Sequence, residues 1–81
     1  MSETLEMLIP AVEEQMAADV TAFVKEAVVR LQEDPEIDDA EAKKMVAVCL
    51  ADEMERMVEE EREFDLERYR NLLGLLPTMP E

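Results

Sequence analysis

The chain has no histidine, no tryptophan, one glycine and one cysteine, and its eight basic residues stand against twenty-two acidic ones. Each shortage removes a class of function. Without histidine, and with Cys49 as the only thiol, a zinc site of Cys and His ligands cannot be completed. A Cys nucleophile would likewise lack its usual base. A lone cysteine excludes a disulfide within the chain, and an unpaired thiol points to a reduced, cytoplasmic location. The surplus of acid leaves a net charge of −14. Phosphate recognition needs clustered positive charge, so nucleic acid is excluded as a direct partner. An anionic membrane surface is excluded for the same reason. No apolar run approaches the length of a membrane-spanning helix. The first ten residues have neither the basic flank nor the cleavage site of a signal peptide.

What is present is aliphatic: 48% of the 81 residues are hydrophobic. Acidic disordered chains are poor in such residues, so this one is expected to fold, as a single acidic helical domain over 1–81. A chain this short buries only roughly 60% of its unfolded surface. Such chains gain stability from disulfides, metals or a second subunit, and here the subunit is the route left open. The charge permits a basic protein as partner. Simple solubility, or a salt-adapted proteome, gives the same charge.

The apolar spacing is helical almost throughout. Val12, Met16, Val20, Phe23, Val24, Ala27, Val28 and Leu31 recur at helix-face intervals, which predicts a first helix over 11–32 with Pro10 in its first turn. Residues 3–9 are left open as a helical turn joined across Pro10. Pro35 ends the first helix. Asp38, with Glu41 three residues on, reads as the N-cap of a second helix, over 39–63. Its apolar face is Ala42, Val46, Cys49, Leu50, Met54, Met57 and Val58. Ion pairs at helix-neighbour spacing are expected at Asp39–Lys43, Asp52–Arg56, Arg56–Glu60 and Glu59–Arg62. Past Phe64 the second helix either continues or gives way to a third over 65–73. The break is preferred, with Asp65 as cap and Phe64 and Tyr69 forming a hydrophobic staple. Gly74 is expected to end it in a left-handed cap, and 77–81 to form a disordered tail.

The expected fold is therefore all-α: an antiparallel helical hairpin with a short C-terminal helix. A two-helix hairpin exposes much of its apolar face. Two copies packed together would bury both stripes, so a dimeric four-helix-type bundle is expected.

Several features could carry chemistry. Asp52, Glu55, Glu59 and Glu63 lie on one side of the second helix, opposite Val46, Leu50 and Met57. They read as a docking face for a basic partner or as oxygen ligands for a hard cation. The plainer account is a solvated face partly neutralised by Arg56 and Arg62. Glu53 falls inside the apolar stripe, where desolvation would raise its pKa. Such a seam acid usually reaches solvent or meets an arginine of another chain. Glu13 occupies a similar place on the first helix. Acid pairs three apart, Asp52–Glu55 and Glu60–Glu63, match the spacing of magnesium ligands in helical metal enzymes, but with so many acids they arise by chance.

The apolar set Tyr69, Leu72, Leu73, Leu75 and Leu76 is the strongest candidate for a partner anchor, with Met54 and Met57 beside it as adaptable contacts. The alternative is that the leucines fold back and cover the core. No catalytic residue, cofactor or metal-ligand set is assigned. The chain reads as a non-enzymatic, homodimeric protein-interaction module. One alternative is an acidic mimic of nucleic acid that occupies a basic protein. A second is a small acidic metal-binding enzyme or subunit.

Overall fold

The computed structural model describes residues 3–78. Four helices occur among them: α1 (Glu3–Ala17), α2 (Ala22–Leu31), α3 (Asp39–Glu60) and α4 (Leu66–Leu75). No strand occurs among the described residues. The radius of gyration is 12.0 Å, close to the ~12 Å of a compact chain of this length.

The segment 11–32 is two helices, not one. α1 starts upstream at Glu3 and runs through Pro10, which therefore lies in the helix interior and not in a first turn. It is tolerated because Leu5, Leu8, Ile9, Val12 and Met16 keep one inward stripe, while Pro10 faces solvent. There the carbonyl that it leaves without an amide partner can be hydrated. α1 then stops at Ala17. Ala18 is extended (φ −92°, ψ 138°), and Asp19–Thr21 form a single 3-10 turn. The Thr21 hydroxyl donates to the Gln15 carbonyl at 2.6 Å. That carbonyl, in the last turn of α1, also accepts from the Ala18 amide at 3.3 Å, so the corner is tied to the helix end twice. Val20, expected on the apolar face, is 78% exposed at this corner.

Local signals dictate the middle of the chain. Asp34 closes an Asx turn onto the Glu36 amide at 2.9 Å. Asp38 caps α3 by accepting from the Glu41 amide at 2.8 Å. α3 ends at Glu60, three residues short of its expected end. The left-handed residue among the described residues is Glu61 (φ 50°, ψ 51°), and the amides of Glu61 and Arg62 both donate to the Met57 carbonyl.

α4 is a separate helix. Asp65 accepts from the Arg68 amide at 3.0 Å, and Phe64 meets Tyr69 edge-on with centroids 5.4 Å apart. It does not end in a left-handed Gly74, which has no positive φ and lies within the helix. Instead Arg30 of α2 caps it, donating to the carbonyls of Leu73 (2.7 Å) and Leu76 (3.0 Å). A cation at a helix C-terminus also meets the negative end of the dipole. Of the tail expected to be disordered, residues 79–81 lie outside the described residues. Thr78 donates its amide to Leu75 at 2.9 Å.

α2 and α3 each pack against the other three helices. Val12, Val24, Val28, Val46, Leu50, Tyr69, Leu73 and Leu76 are fully or nearly fully buried between them. α1 and α4 meet through Tyr69, whose hydroxyl donates to Gln15 Oε1 at 2.6 Å. That bond satisfies the one polar atom this ring carries into the core. Met16 and Met45 pack against the same core as gap-fillers.

A left-handed conformation costs an L-residue about 1–2 kcal/mol, and glycine avoids the penalty. Glu61→Gly is therefore expected to stabilise the fold by about 1 kcal/mol, or about 4–8 °C in Tm. Thermal unfolding followed by circular dichroism checks this; a lower Tm would contradict it.

Candidate functional site

The most unusual side chain is the carboxylate of Glu53. It is fully buried, on the α3 face that also carries Cys49, Leu50 and Met57. An isolated charge there would be costly. The chain supplies partners by reversing direction directly after α3. The left-handed turn at Glu61 brings Arg62 back over the helix, and the start of α4 brings Asp65 and Arg68.

Arg62 grips Glu53 with both guanidinium ends: Nη1 donates to Oε2 at 2.7 Å and Nη2 to Oε1 at 3.1 Å. Arg68 Nη1 donates to Oε1 at 2.7 Å. The Asp65 amide donates to Oε2 at 2.7 Å. Each oxygen thus accepts two hydrogen bonds, which fills the acceptor capacity of a carboxylate. Arg68 continues to Asp52, and Arg62 to Glu60 and to the Glu63 carbonyl. Glu53 and Asp52 together balance the two arginines.

The electrostatics follow from this geometry. The Arg62 guanidinium holds the Glu53 carboxyl down at about 2, from an ordinary 4.5. Burial pushes the other way, and the Asp65 amide and Arg68 add to the lowering. The expectation of a raised pKa is thus reversed. Desolvation acts as foreseen, but two arginines of the same chain outweigh it. Arg62 and Arg68 are both pushed above the usual guanidinium value, Arg62 chiefly by Glu53 and Arg68 chiefly by Asp52.

The other candidate residues are dispersed. On the expected acidic face, Asp52 is half-buried against Arg68, while Glu55, Glu59 and Glu63 are exposed. In the leucine-rich set, Tyr69, Leu73 and Leu76 are buried and Leu72 packs against the core. Only Leu75, 62% exposed, reaches the surface as a partner anchor would. Met57 is half-buried and Met54 is 44% exposed. Glu13 is exposed and pairs with Lys43 at 2.9 Å. Of the expected helix-neighbour pairs, Asp39–Lys43 forms at 2.9 Å, whereas Asp52 and Arg62 turn to the Glu53 cluster.

Cys49 is fully buried, and burial pushes its thiol up to about 11. The Tyr69 hydroxyl is also raised by burial. Among the described residues no group of three acids or thiols converges to hold a metal ion. No helix among the described residues is long and apolar enough to cross a membrane. A shallow cleft of about 230 Å³ between α2 and α4 is lined by Phe23, Ala27, Leu73 and Gly74, with Arg30 and Arg70 at its rim.

Arg68, Arg62 and the Asp65 amide are the participants that sequence reasoning missed. Their signal was available: a carboxylate inside an apolar stripe, followed by two arginines flanking a helix N-cap. No protein-family model, no curated protein and no solved structure matches the chain.

Removing one partner of a buried ionic cluster costs about 3–5 kcal/mol. Glu53→Ala leaves Arg62 and Arg68 partly exposed and still paired with Glu60 and Asp52, so the expected cost is at or just below the low end of that range, about 2–3 kcal/mol, out of the roughly 4–12 kcal/mol total for a chain of this length. The lowered pKa also sets a pH dependence. The folded state gains stability above the ordinary carboxyl pKa of 4.5 and loses it as pH falls toward about 2. Urea unfolding across that window is expected to show a steep loss in the wild type and a flatter one in Glu53→Gln. Parallel slopes would contradict the assignment.

Proposed function

We propose that this chain is a non-enzymatic protein-interaction module whose acidic outer surface engages a basic protein. The two buried groups able to do chemistry, Glu53 and Cys49, support this reading, because one is fully engaged and the other sealed. Glu53 has no acceptor site left for a substrate proton or a cation. Cys49 is buried and held as the neutral thiol, the unreactive form.

The observation that carries the reading is where the basic side chains go. Of the eight basic side chains, Lys43, Arg62 and Arg68 are occupied by acids of the same chain, and Arg30 by carbonyls of α4. The internal pairs cancel, so the net −14 lies on the outer surface. A field of that sign accelerates encounter with a positive partner and repels a negative one.

It also bears on self-association. A two-helix hairpin needs a second copy to bury its apolar faces. Four helices close a core within one chain, so apolar burial no longer demands a second copy. Two surfaces of −14 oppose one another. The reading therefore favours a basic protein over a second copy.

Capture from a cell lysate on the immobilised protein tests this. The expected result is retention of basic proteins that elute as salt rises, with less retention by a Glu55→Lys/Glu59→Lys variant. Retention of neutral or acidic proteins, or binding indifferent to salt, would contradict it. Retention confined to nucleic-acid-binding proteins would point to the mimic form of the same module.

A further inference from the structure

An acidic surface selects a partner's charge but gives it no point of contact. Met54 and Val58 supply one. They lie four residues apart on α3, which makes them neighbours on one helix face. They are 44% and 79% exposed. The same line runs back through half-buried Ala51 to Ala47, which is fully buried. The apolar stripe thus begins inside the core and continues into solvent over the last turns of the helix. Single exposed apolar residues are ordinary on a protein surface. Here the two exposed residues continue a line that starts in the core, and no other helix among the described residues covers them. A β-branched residue such as Val58 is not placed there by helix propensity.

The charges around the stripe select the occupant. Glu55 and Glu59 border it on one side, and Glu61 stands at its end on the left-handed turn, all three exposed. Arg56 projects across the helix, about 160° from Val58 at 100° per residue. A second copy would bring the same three acids against themselves.

Resting on the reading of an acidic interaction module, we propose that the distal face of α3, around Met54 and Val58, docks an amphipathic helix of a partner protein. That helix has apolar anchors at i, i+4 and i+7 flanked by Lys and Arg. Two anchors with an acidic rim make a ridge for helix-in-groove packing. So small a contact fits a transient complex, with Kd on the order of micromolar.

A synthetic peptide of that pattern, with Leu anchors and Lys elsewhere, serves as the probe; a scrambled peptide of the same composition is the control. Both are titrated into the full-length ¹⁵N-labelled protein. The proposal expects shifts centred on Ala51, Met54, Glu55 and Val58, and at least about tenfold weaker binding of the scrambled peptide. It expects a similar loss for the patterned peptide on Met54→Gln/Val58→Gln, at an unchanged Tm because both side chains are exposed; tenfold corresponds to about 1.4 kcal/mol. Absence of binding, equal binding of both peptides, or indifference to the double substitution would overturn it. Salt-sensitive shifts on another face would overturn this site and leave the acidic module standing. A dimer seen in sedimentation and abolished by the same substitutions would put a second copy there and also overturn it.

Discussion

A carboxylate deprived of water has to be surrounded by donors, and the second half of the chain follows from meeting that condition at Glu53. Four donors converge on it from three residues. All three come after α3, so α3 has to stop and the chain has to turn back at once. Glu61 accepts a left-handed conformation to make that turn. Asp65 then serves twice: its amide donates to Glu53 and its side chain caps α4. With α4 so placed, Tyr69 enters the core between Phe23 and Phe64 and reaches Gln15 on α1. One buried charge thus links the turn, the last helix and the closure of the core.

The same interaction shapes the surface. Arginines drawn inward to Glu53 and Asp52 no longer neutralise the outer acids. On α3 the inner acids are bound and the outer ones, Glu55 and Glu59, face water. The separation gives the molecule a structural set of charges and an unbalanced external set. It bears on how a chain of −14 holds together against its own repulsion: the buried charge is paired with two arginines, and most of the net charge lies where water and salt screen it.

The parts of the fold legible in the sequence are those set by contacts within a few residues. The Asp38 cap, the Asp65 cap and the Phe64–Tyr69 staple are of this kind, and their residue types state the geometry. The break at Ala18 was harder to see because Ala17 and Ala18 are strong helix formers and Val20 falls at an apolar-face spacing. Its trace is a drift: an unbroken helix would rotate the stripe by about 100° between Val12 and Leu31, at 100° per residue. Two helices with a corner restore a single inward face. Gly74 misled because a lone glycine near a helix end usually marks a cap, whereas Arg30, distant in sequence, does that work here.

The candidate site was half legible for the same reason. Glu53 stands out by its position in the stripe, so its burial could be read. Its partners lie nine to fifteen residues further on, beyond a turn whose direction no local signal gives, and they decide the sign of its pKa shift. The leucine-rich segment shows the converse. Its composition allows either an exposed anchor or a cover folded back over the core, and tertiary packing, which turns Leu73 and Leu76 inward, decides for the cover.

The account stands most directly on the coupling between Glu53 and Arg62. A double-mutant cycle with Glu53→Gln and Arg62→Gln, read by urea unfolding near neutral pH, measures it apart from the cost of either substitution alone. The account predicts a coupling of at least about 1.5 kcal/mol, the range of close, desolvated charge pairs. A coupling below about 0.5 kcal/mol, as for exposed surface pairs, would contradict it.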